Sequence, residues 1–345
     1  MRHRVSVIAT VYNESASIDA LLDSLRRQTR RPDEIIIVDG GSRDDTLQRL
    51  ERHRQRGDLP LRAWALPGCN IAAGRNAAIA AAAGPIIAVV DAGVRLEDRW
   101  LEAITAPFQK GFVPFDKGTA PSEADSPPDV VSGFFVADPH TLFEQALGAV
   151  TLPRLDEIDP DTFQPSSRSV AFRRDAWAMV GGYPEWLDYC EDLAFDFLLR
   201  DAGFRFVMRP DALVHFRPRP TLRAFHRQYY RYARGDGKAD LWMARHLIRY
   251  GTYLVALPAL IALGVAHHPL WFALALAGLG AMLRTPFRRL APHLRDLSWG
   301  DRLAAVAWLP VIRVGGDVAK MLGYPVGLWW RWRHTPTNTW ARRWL

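Results

Sequence analysis

The sequence predicts an α/β fold, a mostly parallel sheet with helices on both faces, followed by a C-terminal interfacial helix and a hydrophobic helical hairpin. Three observations predict it. Short β-branched runs alternate with helix-spaced stretches between residues 5 and 91. No charged residue occurs at the 34 positions between Arg249 and Arg284. The net charge of +7 is uneven: residues 245–345 hold 13 Lys and Arg against three acids, leaving 31 bases against 34 acids before them.

The first strand reads as Val5–Thr10. Met1–Arg4 is basic, but Ser6 and Thr10 interrupt the apolar run and it ends at Tyr12-Asn13-Glu14, so it reads as strand and functional loop, not a secretory signal. Ile18, Leu21, Leu22 and Leu25 then share one helical face. Glu34–Val38 is a second strand ending at Asp39-Gly40-Gly41-Ser42, followed by a polar helix over Asp45–Arg56 and a strand near Arg62–Leu66. An Ala-rich helix over Ile71–Ala83 closes at Gly84-Pro85, and the strand Ile86–Val90 runs into Asp91-Ala92-Gly93.

Periodicity fails over Gly111–Pro128, where Pro, Ser, Gly and acids predict a mobile loop. Val130–Val136 resumes as strand, and Pro139–Gln164 reads as polar and irregular around the apolar patch Leu142–Leu152. Val170–Phe172 is a strand, Arg174–Val180 a helix ended by Gly181-Gly182, and Glu191-Asp192 head an apolar helix over Leu193–Leu199. One strand near Phe204–Met208 and another reaching His215 complete the domain.

From Thr221 the character changes. Leu222–His246 is helix-like and crowded with Arg, Tyr, Phe and Trp, with an interruption predicted at Gly235-Asp236-Gly237. A single helix over the uncharged stretch would be about 50 Å long against a hydrocarbon core of about 30 Å, so His267-His268-Pro269 is expected to turn it. Two half-segments of about 15 residues result, either crossing the membrane as a tight hairpin or dipping into it. Arg245 and Arg249 before it and Arg284, Arg288 and Arg289 after it place both ends on the cytoplasmic face. Beyond Arg302, Arg313, Asp317 and Lys320 break the apolar runs, which predicts an interfacial amphipathic segment. The expected division is 1–220, the α/β domain; 221–249, the interfacial helix region; and 250–345, the hairpin and basic tail.

Composition limits the function. At 49% hydrophobic and 23% charged residues the chain is globular, neither disordered nor fibrous. Cys69 and Cys190 lie far apart, which excludes a disulfide-stapled domain and a Cys-rich zinc module and suits a reducing compartment. A nucleic-acid binder would spread its bases over the folded domain. Here bases and eight of the 13 tryptophans gather in the tail around apolar runs, so membrane lipids, not nucleic acid, are the expected partners.

Ligands on such sheets bind beyond the carboxyl ends of the strands. Asn13 and Glu14 sit at the first of those ends, Asp39 at the second and Asp91 at the fourth, while Glu191-Asp192 open a helix. Taken singly, each is a cap or turn residue. Together they make a polar crevice able to hold ribose hydroxyls, a base edge and a diphosphate-bound metal. No Gly-x-Gly-x-x-Gly follows the first strand and no Walker-type loop occurs, which argues against a dinucleotide or P-loop site.

Val5-Ser-Val-Ile-Ala-Thr-Val-Tyr-Asn-Glu14 with Glu34-Ile-Ile-Ile-Val-Asp-Gly-Gly-Ser-Arg-Asp-Asp-Thr46 resembles the opening of the family 2 glycosyltransferases of the GT-A fold. Gly74-Arg75-Asn76, Asp91, and Gly181-Gly-Tyr-Pro-Glu185 leading to Glu191-Asp192 extend the resemblance over about residues 4–240. The resemblance implies that Val11, Asn13, Glu14 and Asp39 hold the nucleotide of a sugar-nucleotide donor, with Arg75 near the diphosphate. It makes Asp192 the general base on an acceptor hydroxyl, with Glu191 beside it. Inversion needs one carboxylate to take the acceptor's proton in line with the departing nucleoside diphosphate, whose charge a cation or arginines must stabilise.

The sequence departs from the family's pattern in places. The family's Asp-x-Asp metal motif is reduced to Asp91-Ala92-Gly93, so a divalent cation, Mg2+ or Mn2+, would rest on Asp91 and the diphosphate, with His215 as a further ligand or as an ordinary strand-end histidine. Thr10 stands where the family commonly has Pro. Gln228-Tyr-Tyr-Arg231-Tyr232 resembles the Gln-x-x-Arg-Trp signature of membrane-bound processive synthases with Tyr for Trp. Arg231 and Arg234 would then approach the diphosphate and Gln228 and Tyr232 the acceptor; the same stretch also reads as an aromatic, basic helix on lipid headgroups. One hairpin is too little membrane for a translocating channel, so transfer of single sugars is expected. The sequence reading is an inverting glycosyltransferase at the cell membrane, its catalytic domain cytoplasmic and its acceptor lipid-linked or at the membrane surface. Its alternatives are a non-catalytic sugar-nucleotide-binding membrane protein and a membrane-bound sugar-phosphate nucleotidyltransferase.

Overall fold

The computed structural model describes residues 3–110 and 127–334. The loop expected over Gly111–Pro128 lies, up to residue 126, outside the described residues, as does the end of the basic tail from 335. Two compact units emerge, one of residues 1–136 and 155–216, the other of 137–154 and 217–345.

The first unit runs β1 (Val5–Val11), α1 (Ile18–Arg26), β2 (Glu34–Asp39), α2 (Thr46–Arg56), β3 (Leu61–Ala65), α3 (Ile71–Ala81), β4 (Ile86–Val89), β5 (Val94–Leu96) and α4 (Trp100–Thr105). It continues with β6 (Val130–Ala137) and, after α5 (Leu142–Thr151) of the second unit, β7 (Val170–Arg173), α6 (Arg174–Val180), α7 (Glu191–Asp201) and β8 (Phe206–Phe216). The sheet order is β3-β2-β1-β4-β7-β6-β8-β5. The β3-β2-β1-β4 half is parallel, and β7 pairs antiparallel with β4 and β6, as β8 does with β5. The sheet is therefore mixed, and its parallel half carries the loops that sequence motifs marked.

Both sheet faces are covered. Val5, Val7, Ala9 and Val11 pack under Leu21, Leu22, Leu25 and Trp100, while Ile8, Ile36 and Val38 face Ala78, Ile79, Phe172 and Phe195 on the other side. Central parallel strands buried on both faces read as unbroken apolar runs, which is why Glu34–Val38 shows no polar alternation. Two predicted strands near 204–215 are one strand, β8, running through Pro210. β5 pairs only with Val214–Phe216, so the missing N–H of exposed Pro210 removes no bond on that side.

The apolar patch Leu142–Leu152, set in a stretch expected to be irregular, is the helix α5. Thr141 caps it by accepting from the Glu144 N–H at 3.2 Å, and Phe143, Ala146 and Leu147 make a helical stripe that packs in the second unit's core. That unit continues with α8 (Leu222–Ala239), α9 (Met243–Tyr250), a π-helical turn (Gly251–Ala256), α10 (Leu257–Ala266), α11 (Leu270–Leu290) and α12 (Trp299–His334).

Three expectations change here. First, α8 is not interrupted at Gly235-Asp236-Gly237; a Cβ on Gly237 would lie 2.4 Å from the Tyr324 carbonyl oxygen of α12. Gly323 and Gly327 are equally tight, at 2.1 Å from the carbonyl oxygens of Tyr230 and Arg234. The glycines let two helices meet backbone to backbone, the small-xxx-small contact of membrane bundles. The break falls instead at Asp240 and Trp242, whose φ values are +58° and +57°. Second, the apolar helices are longer than the expected half-segments: Met243–Ala266 and Leu270–Leu294 span 24 and 25 residues, each long and apolar enough to cross a membrane. They extend through the flanking arginines, of which Arg249 pairs with Asp317 at 2.7 Å. Third, the segment beyond Arg302 is one helix of 36 residues whose inner face (Leu309, Ile312, Gly316, Ala319, Gly323) is buried and whose outer face exposes Leu303, Val311, Val318, Leu322, Trp329 and Trp332.

Candidate active site

The ends of β1 and β2 are tied to each other. Asn13, at φ +55°, donates its backbone N–H to Ser42 Oγ (2.7 Å), and its Oδ1 accepts from the Arg43 N–H (2.8 Å). Asp39 is fully buried; Oδ2 accepts from the Gly41 and Ser42 N–H groups at 3.2 and 2.9 Å, and Oδ1 accepts from Ser42 Oγ. Asp39 thus orders its own loop. Glu14 donates its N–H to Thr46 Oγ1 at 2.8 Å and accepts from Ser17 Oγ on its carboxylate. A Cβ on Gly40 would stand 3.3 Å from the Cys69 carbonyl oxygen, so the loop after β2 approaches the one after β3 closely. Val11, Asn13, Glu14 and Asp39 therefore share one edge, as expected for carboxyl ends of neighbouring parallel strands.

Helix α3 supplies the second wall. A Cβ on Gly74 would fall 2.4 Å from Thr10 Cγ2, so glycine is what allows α3 to press onto β1, and the Thr10 methyl occupies that space. The next two residues then turn inward. Asn76 Nδ2 donates to the Tyr183 carbonyl and Glu185 Oε1, both at 2.9 Å, while its Oδ1 accepts from Trp177 Nε1 at 3.0 Å and the Tyr183 N–H at 2.9 Å. Gly181 and Gly182 adopt φ of +83° and +80°, and a Cβ on Gly182 would collide with Asn76 Oδ1 at 2.8 Å. Asn70 caps α3 and donates to the Glu185 carbonyl at 2.6 Å. Two motifs more than a hundred residues apart are thus one structure, which sets where α7 begins.

At that start sit Glu191 and Asp192, after Cys190 in the left-handed region at φ +64°. Arg75 reaches them from α3. Its Nη1 donates to Glu191 Oε1 at 2.7 Å, and its Nη2 donates to Asp91 Oδ1 at 3.0 Å. The guanidinium stands 5.4 Å from the centre of the Tyr183 ring, which stacks on Phe195 at 4.1 Å. Arg75 is 4% exposed, whereas the Asp91 side chain is 40% exposed. Arg75, expected near a diphosphate, is therefore enclosed with both arms on carboxylates.

Burial pushes the Glu191 carboxyl up to about 7; Asp192 beside it pushes the same way and Arg75 pulls against both. Burial works against the Arg75 charge, but Glu191 and Asp91 outweigh it and raise the guanidinium above its ordinary value. Asp196, one turn along α7, is raised well above the usual carboxylate range by burial and then by Asp192. The sequence reading did not single out Asp196, although its i+4 spacing from Asp192 places it on the same helix face. Tyr183 and Asn76 lay within quoted motifs without a role; their bonding partners are remote in sequence and visible only in the fold.

His215 does not join Asp91 in a ligand set. It lies on β8 with Nε2 against the Glu97 carboxylate, and the described residues contain no group of three His, Cys, Asp or Glu side chains able to hold a metal. Asp91 alone suits a cation that arrives with phosphate oxygens and water, as Mg2+ commonly does. Gln228, Arg231, Tyr232 and Arg234 lie on α8, in the second unit, where Gln228 Nε2 donates to the Tyr232 hydroxyl at 2.7 Å.

Known proteins resemble this chain in sequence and in fold. The family described as Glycosyl transferase family 2 matches residues 6–122, and Glycosyl transferase family group 2 matches residues 161–315. The chain is 25% identical over 339 residues to the succinoglycan biosynthesis protein ExoA of Rhizobium meliloti, covering 94% of this chain and 84% of that one. It is 24% identical over 280 residues to the glycosyltransferase AglE of Haloferax volcanii, covering 74% and 80%. The match to the undecaprenyl-phosphate 4-deoxy-4-formamido-L-arabinose transferase of Pseudomonas fluorescens is 34% identical over 117 residues, covering 32% of this chain and 34% of that protein's length. Among solved structures, the mannosyltransferase PcManGT of Pyrobaculum calidifontis, in complex with GDP-Man and Mn2+, superposes with a TM-score of 0.55 at 21% identity over 98% of this chain and 89% of that one. S. aureus TarS 1-349 in complex with UDP-GlcNAc gives 0.50 at 18% identity over 90% of each chain.

Proposed function

Because the chain belongs to the family 2 glycosyltransferases and is a glycosyl transfer enzyme, we propose that it moves a sugar, with inversion, from a nucleoside-diphosphate sugar to the hydroxyl of a lipid-linked acceptor at the cytoplasmic membrane face. One observation carries the reading: Glu191, next to Asp192 at the head of α7, is joined through Arg75 to Asp91 at the end of a parallel strand. Arg75 thereby links the donor-side carboxylate to the residue beside the base.

In this mechanism Val11, Asn13, Glu14 and Asp39 hold the nucleoside. The Asp192 carboxylate takes the proton of the acceptor hydroxyl as its oxygen bonds to the anomeric carbon. On the opposite face the bond from that carbon to the diphosphate oxygen breaks, and the nucleoside diphosphate leaves with the electron pair. A divalent cation held by Asp91 and the diphosphate would neutralise the charge of the leaving group. GDP-Man and UDP-GlcNAc in PcManGT and TarS support a nucleotide sugar as donor.

The membrane part of the reading rests on the second unit. The two long apolar helices leave Leu254, Val255, Ile261, Val265, Leu274 and Leu276 exposed, as lipid-facing side chains are. Arginines at both outer ends of the pair favour the cytoplasmic side. The exposed stripe of α12, ending at Trp329 and Trp332, suits the headgroup layer. The undecaprenyl-phosphate relative supports a lipid-carried acceptor.

Calorimetric titration of the detergent-purified chain with UDP, GDP and dTDP, each with Mn2+ and with EDTA, tests the donor site. Binding of one nucleotide that collapses in EDTA is the expected result. Binding unchanged by EDTA would remove the cation from the mechanism, and no binding of any would remove the donor site.

A further inference from the structure

Asn70, Arg75 and Asn76 of α3 all reach the segment that begins α7, but they do so differently. Asn70 and Asn76 hold the carbonyls and the loop of residues 183–187. Arg75 alone also touches the donor side, through Asp91. Its two arms act on unlike partners: Asp91 is 40% exposed, and Glu191 is 7% exposed at the side chain. The α7 start has a reason to respond, because Cys190 holds a left-handed φ of +64° immediately before it. A non-glycine residue there costs free energy and persists only while neighbouring contacts enforce it.

We propose that Arg75 is a positioning residue that couples donor binding at Asp91 to the order of the α7 N-terminus, which carries the acceptor base. The proposal rests on the donor site described above. A cation and diphosphate at Asp91 compete with the guanidinium for that carboxylate. Arg75 then bears more fully on Glu191, its remaining carboxylate partner, and tightens the first turn of α7 around Asp192. Tyr183, which lies 5.4 Å from the guanidinium and stacks on Phe195 of α7, gives Arg75 a second contact with that helix. Linkage requires the reverse as well: a more ordered α7 start favours the donor-bound state. Lysine could not replace arginine here, because a single ammonium is a point donor without the planar fork that spans two carboxylates.

Hydrogen exchange at the amides of residues 190–195 reads this directly, using whichever of UDP, GDP or dTDP binds with Mn2+ by calorimetry. In the native chain the nucleotide should slow those amides by about tenfold, the size of an ordinary coupling. In Arg75→Lys the nucleotide should still bind, but the α7 amides should stop responding. Glu191→Gln, which keeps volume and hydrogen-bond acceptor while removing the charge, should blunt the response in a protein of unaltered fold. With substrates in hand, Arg75→Lys should lower kcat and leave the donor KM nearly unchanged. Nucleotide binding without any α7 response in the native chain overturns the coupling, and so does an equal response in Arg75→Lys. Loss of nucleotide binding in Arg75→Lys, with the fold intact, would make Arg75 a donor ligand instead. Failure of all three nucleotides to bind the native chain removes the donor site itself and the coupling with it.

Discussion

The first unit keeps apolar side chains inside: the sheet faces bury Val5, Val7, Ile36, Phe172 and their neighbours almost completely. The second unit also buries an apolar core, around Phe143, Leu147, Phe225 and Leu309, but its surface differs. Large apolar residues cover the outside of α10 and α11, while His246 and Asp317 lie buried and pair with the half-buried Asp236 and Arg249. Water explains the first arrangement through the hydrophobic effect. The lipid surroundings of the proposed function would account for the exposed apolar surface of the second, where close glycine contacts and paired polar groups add to helix packing. Buried charge also serves different ends. In the first unit the buried pair of Arg75 and Glu191 borders the exposed carboxylate of Asp91 and the candidate base; in the second, Arg249 Nε donates to Asp317 Oδ1 and Tyr253 donates to Oδ2 within helix packing.

Removing the base should produce the largest effect. Asp192→Asn is expected to lower kcat by about 10²–10⁴-fold with donor binding kept, measured as nucleoside diphosphate release. Equal loss in a variant of the second unit's charges would erase the distinction between the two sets. Next, Asp317→Ala strands Arg249 and should cost about 3–5 kcal/mol by denaturation in detergent, whereas Arg249→Met with Asp317→Leu should recover most of it. Failure of the double variant to recover would give that pair more than a packing role.

Smaller effects sharpen the contrast. Gly323→Ala should destabilise by about 1–3 kcal/mol, because its Cβ meets the Tyr230 carbonyl oxygen at 2.1 Å, while Gly251→Ala, with open space around it, should be near neutral. The pH dependence is the subtlest. Folding raises the Glu191 carboxyl from its ordinary 4.5 to about 7, so between those values the folded state binds more protons than the unfolded one. Stability contributed at this site is therefore present below about 4.5 and lost as pH rises towards 7. The midpoint of thermal unfolding of Glu191→Gln, measured against the native chain, should gain over that interval; a constant difference would mean that Arg75 keeps Glu191 ionised throughout.

Much of the first unit was legible because its signals are local. Apolar runs such as Glu34–Val38 and the helical spacing of Ile18, Leu21, Leu22 and Leu25 state strand and helix without reference to the rest of the chain. Asn13, Glu14, Asp39 and Asp91 could be placed at strand ends because parallel strands all present their carboxyl ends on one side. The second unit was read less well. Gly237 looks like a helix breaker until α12 stands against it, and the apolar patch at Leu142 sits in an irregular stretch until its stripe has a partner.

The amino-acid sequence by itself determined the α/β class, the family, the order of the site motifs and the presence of an uncharged stretch turned near His267-His268-Pro269. These follow from periodicity, composition and residue spacing, which need no partner to be read. Tertiary structure alone decided that Arg75 is enclosed between Glu191 and Asp91, that Asn76 binds the turn at Gly182, that His215 pairs with Glu97, and that α8 passes unbroken along α12. Each of those depends on which distant group arrives within hydrogen-bonding or van der Waals distance, and sequence separation says nothing about that distance until the chain is folded.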